Sequence, residues 1–225
     1  MRRLVILRPE PGAAASVERA IALGLETRAM PLFAVEPVPW EVPDPGNFDA
    51  LLLTSANATR HGGAGLGELR KLPVHAVGEA TAAAARDAGF EIASVGDGGV
   101  ERLVGSIPSG ARLLHLCGEH RTMAATARAI STVPVYRSIE LPPPDDLRSI
   151  EGHTVAVHSP RAGRRLAELI DAAGIDRGTI RIAAISEAAA QAAGEGWEMR
   201  LAADAPNEAA LLALAARLCD NPVTT

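Results

Sequence analysis

The chain has 225 residues, enough for one large domain or two small ones, each able to close a core of its own. Hydrophobic residues make up 48% but aromatics only 3%, so the interior must be assembled from Ala, Leu, Val and Ile. A formal net charge of −5, with no run of five like charges, argues against a nucleic-acid surface.

Short apolar runs alternate with Ala-rich segments of helical length. "RLVIL" (3–7) is a predicted strand, followed by a helix over about 11–23. "FDALLLT" (48–54) leads to a helix at 56–70, "VHAV" (74–77) to one at 79–88, and a further helix is expected at 99–106. "RLLHLC" (112–117) precedes a helix at 121–130, "TVAVH" (154–158) one at 160–173, and "IRIAAI" (180–185) one at 187–194, with a last helix at 206–219. Continuously apolar strands separated by helices imply parallel sheets covered on both faces, so the fold class is α/β. No apolar stretch approaches the roughly 18 residues of a membrane helix. The apolar part of "MRRLVILRPEPG" is too short for a signal peptide, and a cytoplasmic protein is expected. Cys117 and Cys219 lie 102 positions apart without CxxC spacing, which suits two reduced thiols.

The chain repeats itself. "VGEATAAAARDAGFE" (77–91) returns as "ISEAAAQAAGEGWE" (185–198), "LLLTSANATR" (51–60) as "VAVHSPRAGR" (155–164), and "SVGDGGVERLVGSI" (94–107) as "LAADAPNEAALLAL" (201–214). Equivalent positions are 104 to 108 residues apart, so a unit of about half the chain is used twice. Two Pro-bounded extended segments, near 31–46 and 133–146, are the expected linkers, because proline forbids helix and biases its neighbour toward β. The β-α-β fragment before the first linker then belongs with the chain's end. One lobe is discontinuous, 1–34 plus 142–225, and the other, 36–140, is inserted in it, with two adjacent crossings forming a hinge.

In an open parallel sheet, ligands bind beyond the carboxyl ends of the strands, where helix N-termini present unpaired N–H groups. The six corners read Arg8-Pro9-Glu10, Thr54-Ser55-Ala56-Asn57, Gly78-Glu79-Ala80-Thr81, Gly118-Glu119-His120-Arg121, Ser159-Pro160-Arg161 and Ser186-Glu187-Ala188. Converging from two lobes, they would form a donor-rich cleft suited to anions; taken singly, each is also what an ordinary helix cap looks like. Tyr136, the only tyrosine, lies in "VPVYRSIEL". Alternation puts Val133, Val135, Ile139 and Leu141 on one side of that ribbon and Tyr136, Ser138 and Glu140 on the other, so Tyr136 points either into the cleft or onto a neighbouring strand.

Other features carry less. "HGGAGLG" (61–67) lacks GxGxxG spacing and a preceding strand, and reads as a flexible helix break. "CGEH" (117–120) does not converge on an ion, His153 and His158 read as strand-end residues, and no GxSxG elbow occurs. Neither metal nor cofactor is expected.

With "LRPEPG", "LLLTSANATR", "VHAVGEATAAAARDAGF", "VPVYRSIEL", "VAVHSPRAG", "IAAISEAA" and "PNEAALLAL" in this order, the chain resembles the uroporphyrinogen-III synthase family over nearly its whole length. The resemblance implies two flavodoxin-like lobes joined by a two-stranded linker. It also implies cyclisation of the linear tetrapyrrole hydroxymethylbilane, with inversion of the last ring and loss of water. Thr54, Ser55, Gly78, Thr81, Ser159 and Ser186 would bind substrate, Arg8, Arg121 and Arg161 would add discrete charge, and Tyr136 would assist departure of the substrate hydroxyl. Many members read "GPTTA" where this chain has "SEAAA" (186–190), so backbone donors must serve there. From the residues themselves a monomer is expected, since no extended apolar surface helix is evident, with neither a nucleic-acid nor a membrane partner. The rival reading is a hinge-closing sensor of small anions without catalysis.

Overall fold

A computed structural model describes residues 2–96, 99–119 and 130–220. The chain divides into two compact units, Met1–Ala34 with Glu140–Thr225, and Val35–Ile139.

The first unit contains β1 (Leu4–Ile6), α1 (Gly12–Ala22) and β2 (Thr27–Ala29) from the start of the chain. Strand β3 (Phe33–Pro37) then carries the chain into the second unit, where β4 (Ala50–Leu53), α2 (Asn57–His61), β5 (Val74–Val77), α3 (Glu79–Asp87), β6 (Ile92–Gly96), α4 (Val100–Ser106) and β7 (Leu113–Gly118) follow. The long strand β8 (Ile130–Glu140) returns it to β9 (Thr154–Val157), α5 (Pro160–Ala172), β10 (Arg181–Ala184), α6 (Glu187–Ala192), β11 (Met199–Ala202) and α7 (Glu208–Asp220).

The two sheets share one strand order. The first is β11-β10-β9-β1-β2 and the second β6-β5-β4-β7-β8, with β3 added outside β8. The pairs from β6 through β8 and throughout the first sheet are parallel, as expected for an α/β chain. Strands β3 and β8 are neighbours, and Val38 N–H donates to the Val135 carbonyl while Leu141 N–H donates to that of Leu32. Partner numbers rise on one strand as they fall on the other, so this ribbon runs antiparallel.

Both faces of each sheet are covered, which is why the central strands are apolar at nearly every position. In the first unit, Val5, Val155 and Ile182 pack with Leu166 and Ile170 of α5. The alternate residues Leu4, Ile6 and Ala156 pack with Ala20 of α1 and with Leu211, Leu214, Ala215 and Leu218 of α7. In the second unit, Leu51, Leu53, Val74 and Leu116 pack with α2 and α3 through Ala58, Ala82 and Ala85, and Leu52 packs on the other face with Leu103 and Val104 of α4.

The structure departs from the sequence expectations in three places. The helix expected over 56–70 stops at His61 and continues as a 3-10 helix, Gly63–Leu69. Gly63 has φ +65, and a side chain on Gly65 would meet Val42 at 2.6 Å, so the glycines give a turn and a close approach. The break is not loose, because Trp40 Nε1 donates to the Gly62 carbonyl at 2.9 Å. Strands β6 and β11 go beyond the expected set; they form sheet edges and are only partly buried, which dilutes their apolar signal. Strict alternation also fails in β8. Cys117 pairs with Pro134 but Gly118 pairs with Tyr136, so Val135 is an extra residue in a bulge. Val133, Val135 and Tyr136 consequently pack on one core, and Tyr136 does not stand opposite the valines. The helix expected at 121–130, and with it Arg121, lies outside the described residues except at Ile130, which begins β8.

Candidate functional site

The strand register brings the corner residues of each unit to one edge of its sheet. In the second unit Leu53 is level with Leu116 and Ala76, so Thr54-Ser55, Gly118 and Gly78 follow at the carboxyl ends of three adjacent strands. Tyr136 reaches the same edge from β8 as the partner of Gly118.

The glycine at 118 makes room for the phenol. A Cβ there would lie 2.7 Å from Tyr136 Cε2 and 3.2 Å from its hydroxyl oxygen, so the ring lies directly over the Gly118 backbone. The His61 ring is tilted by 40° to it, with centroids 6.3 Å apart. Burial pushes the Tyr136 phenol above its ordinary range, the Ser55 hydroxyl pulls it back, and nearby Cys117 pushes it up again. The phenol therefore carries its proton at neutral pH. Burial, and then the charge of Arg60, lower the His61 pKa and favour the neutral ring.

Thr54 Oγ1 lies 3.0 Å from His115 Nε2, and Ser55 Oγ accepts from Asn57 N–H at 3.2 Å. Gly78 has φ +94, a conformation that L side chains rarely adopt, and a Cβ there would meet nothing within 4 Å. The start of α3 is thus bare backbone with open space over the corner. Thr81, one turn on, is only 5% exposed, which leaves little of its side chain to a ligand.

In the first unit Ile6, Ala156 and Ala183 are level, so Arg8, His158-Ser159 and Ser186 follow along one edge. Both serines are helix caps. Ser159 Oγ accepts from Ala162 N–H at 3.1 Å and Ser186 Oγ from Ala189 N–H at 3.3 Å, which leaves each hydroxyl proton to donate. Arg8 Nη1 donates to Glu208 Oε2 at 3.0 Å and to Ser16 Oγ at 3.2 Å. His158 Nε2 lies 3.3 Å from the same Glu208 oxygen. Burial raises the Glu208 carboxyl, but His158, Ser16 and Arg8 together outweigh it and hold the group at about 2. Arg161 sits 4.5 Å over the Phe33 ring and 3.8 Å from Glu140.

The residues that sequence reasoning missed are Gly12, Ser16, His61, His115, Gly118 as a seat for the phenol, His158 and Glu208. The repeat held a signal for one of them, since its register matches His158 with Thr54 and Ser159 with Ser55. Among the described residues, no group of three or more His, Cys, Asp or Glu could hold a metal ion. No described helix is long and apolar enough to cross a membrane.

The family model described as HEM4, Uroporphyrinogen-III synthase HemD, matches residues 14–213. No curated protein matches the chain in sequence. Among solved structures, the chain is similar to the uroporphyrinogen-III synthetase of Helicobacter pylori 26695, with 19% identity, a TM-score of 0.66, and coverage of 97% of this chain and 100% of that one. It is also similar to a mutant uroporphyrinogen III synthase from Thermus thermophilus, with 20% identity, a TM-score of 0.52, and coverage of 96% of this chain and 98% of that one. At these identities the structural likeness concerns the fold.

Proposed function

We propose a division of labour within a chain that belongs to the uroporphyrinogen-III synthase family and has its cyclising role in tetrapyrrole biosynthesis: the second unit's edge assists the chemistry, and the first unit's edge holds the substrate's acid arms. The observation that carries this reading is the seating of Tyr136 over Gly118, beside Ser55, with its proton retained.

The substrate in this reading is hydroxymethylbilane, a linear polycarboxylate. Its reaction needs few catalytic side chains. Departure of the terminal hydroxyl leaves a conjugated cation that is reactive by itself, so the protein's main task is to fold the molecule and present the last ring in inverted orientation. Tyr136 donates a hydrogen bond to the departing oxygen. Thr54, Ser55 and the bare Gly78 corner contribute hydroxyl and amide donors, and Arg8, Ser159 and Ser186 take carboxylates on the other edge. Discrete donors of this kind reconcile anion binding with a net charge of −5.

Incubation with enzymatically generated hydroxymethylbilane, followed by oxidation and chromatography of the porphyrins, tests the reading. The expected product is the type III isomer. Type I product alone, which forms without catalysis, contradicts it.

A further inference from the structure

Arg8 is held on three sides. Glu208 and Ser16 occupy its Nη1, and Gly12 lies against the rest of the guanidinium. A Cβ on Gly12 would come within 2.6 Å of Arg8 Nε and 2.9 Å of Nη2, so the absence of a side chain there permits the observed pose. Ser16 is fully buried, and the His158 side chain is 9% exposed behind Glu208. Arg8 itself keeps 35% of its side chain accessible. Its bonds to Glu208 and Ser16 both use Nη1, and Gly12 packs along Nε and Nη2, so the guanidinium is held from both sides while part of it stays open to a carboxylate.

We propose that Glu208 and Gly12 are positioning residues, which fix the pose in which the Arg8 guanidinium meets a substrate carboxylate. This rests on the functional reading above. The brace lowers the entropy lost when a long side chain is immobilised by a ligand. It also carries a cost, because the Glu208 carboxylate competes for the same cation. The sign of the affinity change on its removal therefore decides between a brace and a competitor.

The test measures kcat and KM for hydroxymethylbilane in Glu208→Ala, Glu208→Gln and Gly12→Ala, with thermal melts alongside. Glu208→Ala is expected to raise KM about tenfold with kcat within about twofold, and Glu208→Gln, which keeps an acceptor oxygen, to recover most of the loss. Gly12→Ala alters no charge and removes no hydrogen-bonding side chain, yet it should raise KM about threefold or more without lowering the melting temperature. Unchanged or lower KM in Glu208→Ala and Gly12→Ala, with wild-type turnover intact, overturns the inference alone. A wild-type chain that makes no type III product overturns the functional reading and this inference with it. If Glu208→Ala fails to fold, the Gly12→Ala result decides by itself.

Discussion

The carboxyl edges of the two sheets come from one repeat, and their chemistry diverges residue by residue. Thr54 in the second unit meets His115 across 3.0 Å, whereas its counterpart His158 in the first meets the Glu208 carboxylate at 3.3 Å. In the shared strand order β8 corresponds to β2, so the strand that brings Tyr136 to one edge is replaced in the other unit by Thr27–Ala29, without an aromatic residue. Glu208 itself aligns with Glu101, an exposed residue of α4's first turn. One edge is thus built around a phenol and hydroxyls, and the other around a fixed ion pair. A duplicated scaffold keeps its strand order while the residues just beyond the strands take separate tasks.

The largest effect that separates the edges is expected from Tyr136→Phe. Loss of the phenolic proton should lower kcat by roughly a hundredfold and leave KM nearly unchanged, in the range of a lost general acid. Gly118→Ala tests the seat of the ring, since the new Cβ would fall 2.7 Å from Tyr136 Cε2. It should lower kcat about tenfold and cost about 1–3 kcal/mol of stability, read as a shifted urea midpoint, because an overpacked ring must move. Ser55→Ala should lower kcat by a few-fold and raise the phenol's apparent pKa further, measurable by ultraviolet titration, because the hydroxyl that pulls it down is gone.

A pH series sharpens the electrostatic side of the comparison. The Glu208 carboxyl is held at about 2 against an ordinary 4.5, so its ionised form stabilises the fold fully above about pH 4.5, and that contribution is lost as pH falls toward 2. The stability gap between wild type and Glu208→Gln, measured by urea unfolding, should shrink as pH falls from about 4.5 toward 2. A gap as large at about pH 2.5 as at pH 7 would contradict this assignment. The smallest effect is expected from Ser159→Ala, about 1 kcal/mol for a lost helix cap, and its KM reports whether the hydroxyl also serves the substrate.

The α/β class and the central strands were legible because both faces of each sheet are covered, so Leu51, Leu52 and Leu53 or Val155, Ala156 and Val157 form unbroken apolar runs. The repeat exposed which corners are equivalent. The bulge at Val135 was not legible, since alternation assumes an unbroken ladder and the pairing of Tyr136 with Gly118 depends on a strand distant in sequence. The Arg8–Glu208 pair was hidden for the same reason: the two residues are 200 positions apart and meet only because β1 lies beside β9 and packs against α7.

The division of labour is tested most directly by steady-state formation of the type III isomer in Tyr136→Phe and Arg8→Ala, measured side by side. The account predicts that the first loses kcat at constant KM and the second raises KM at nearly constant kcat. Equal losses in the same parameter, or wild-type kinetics for Tyr136→Phe, would contradict it.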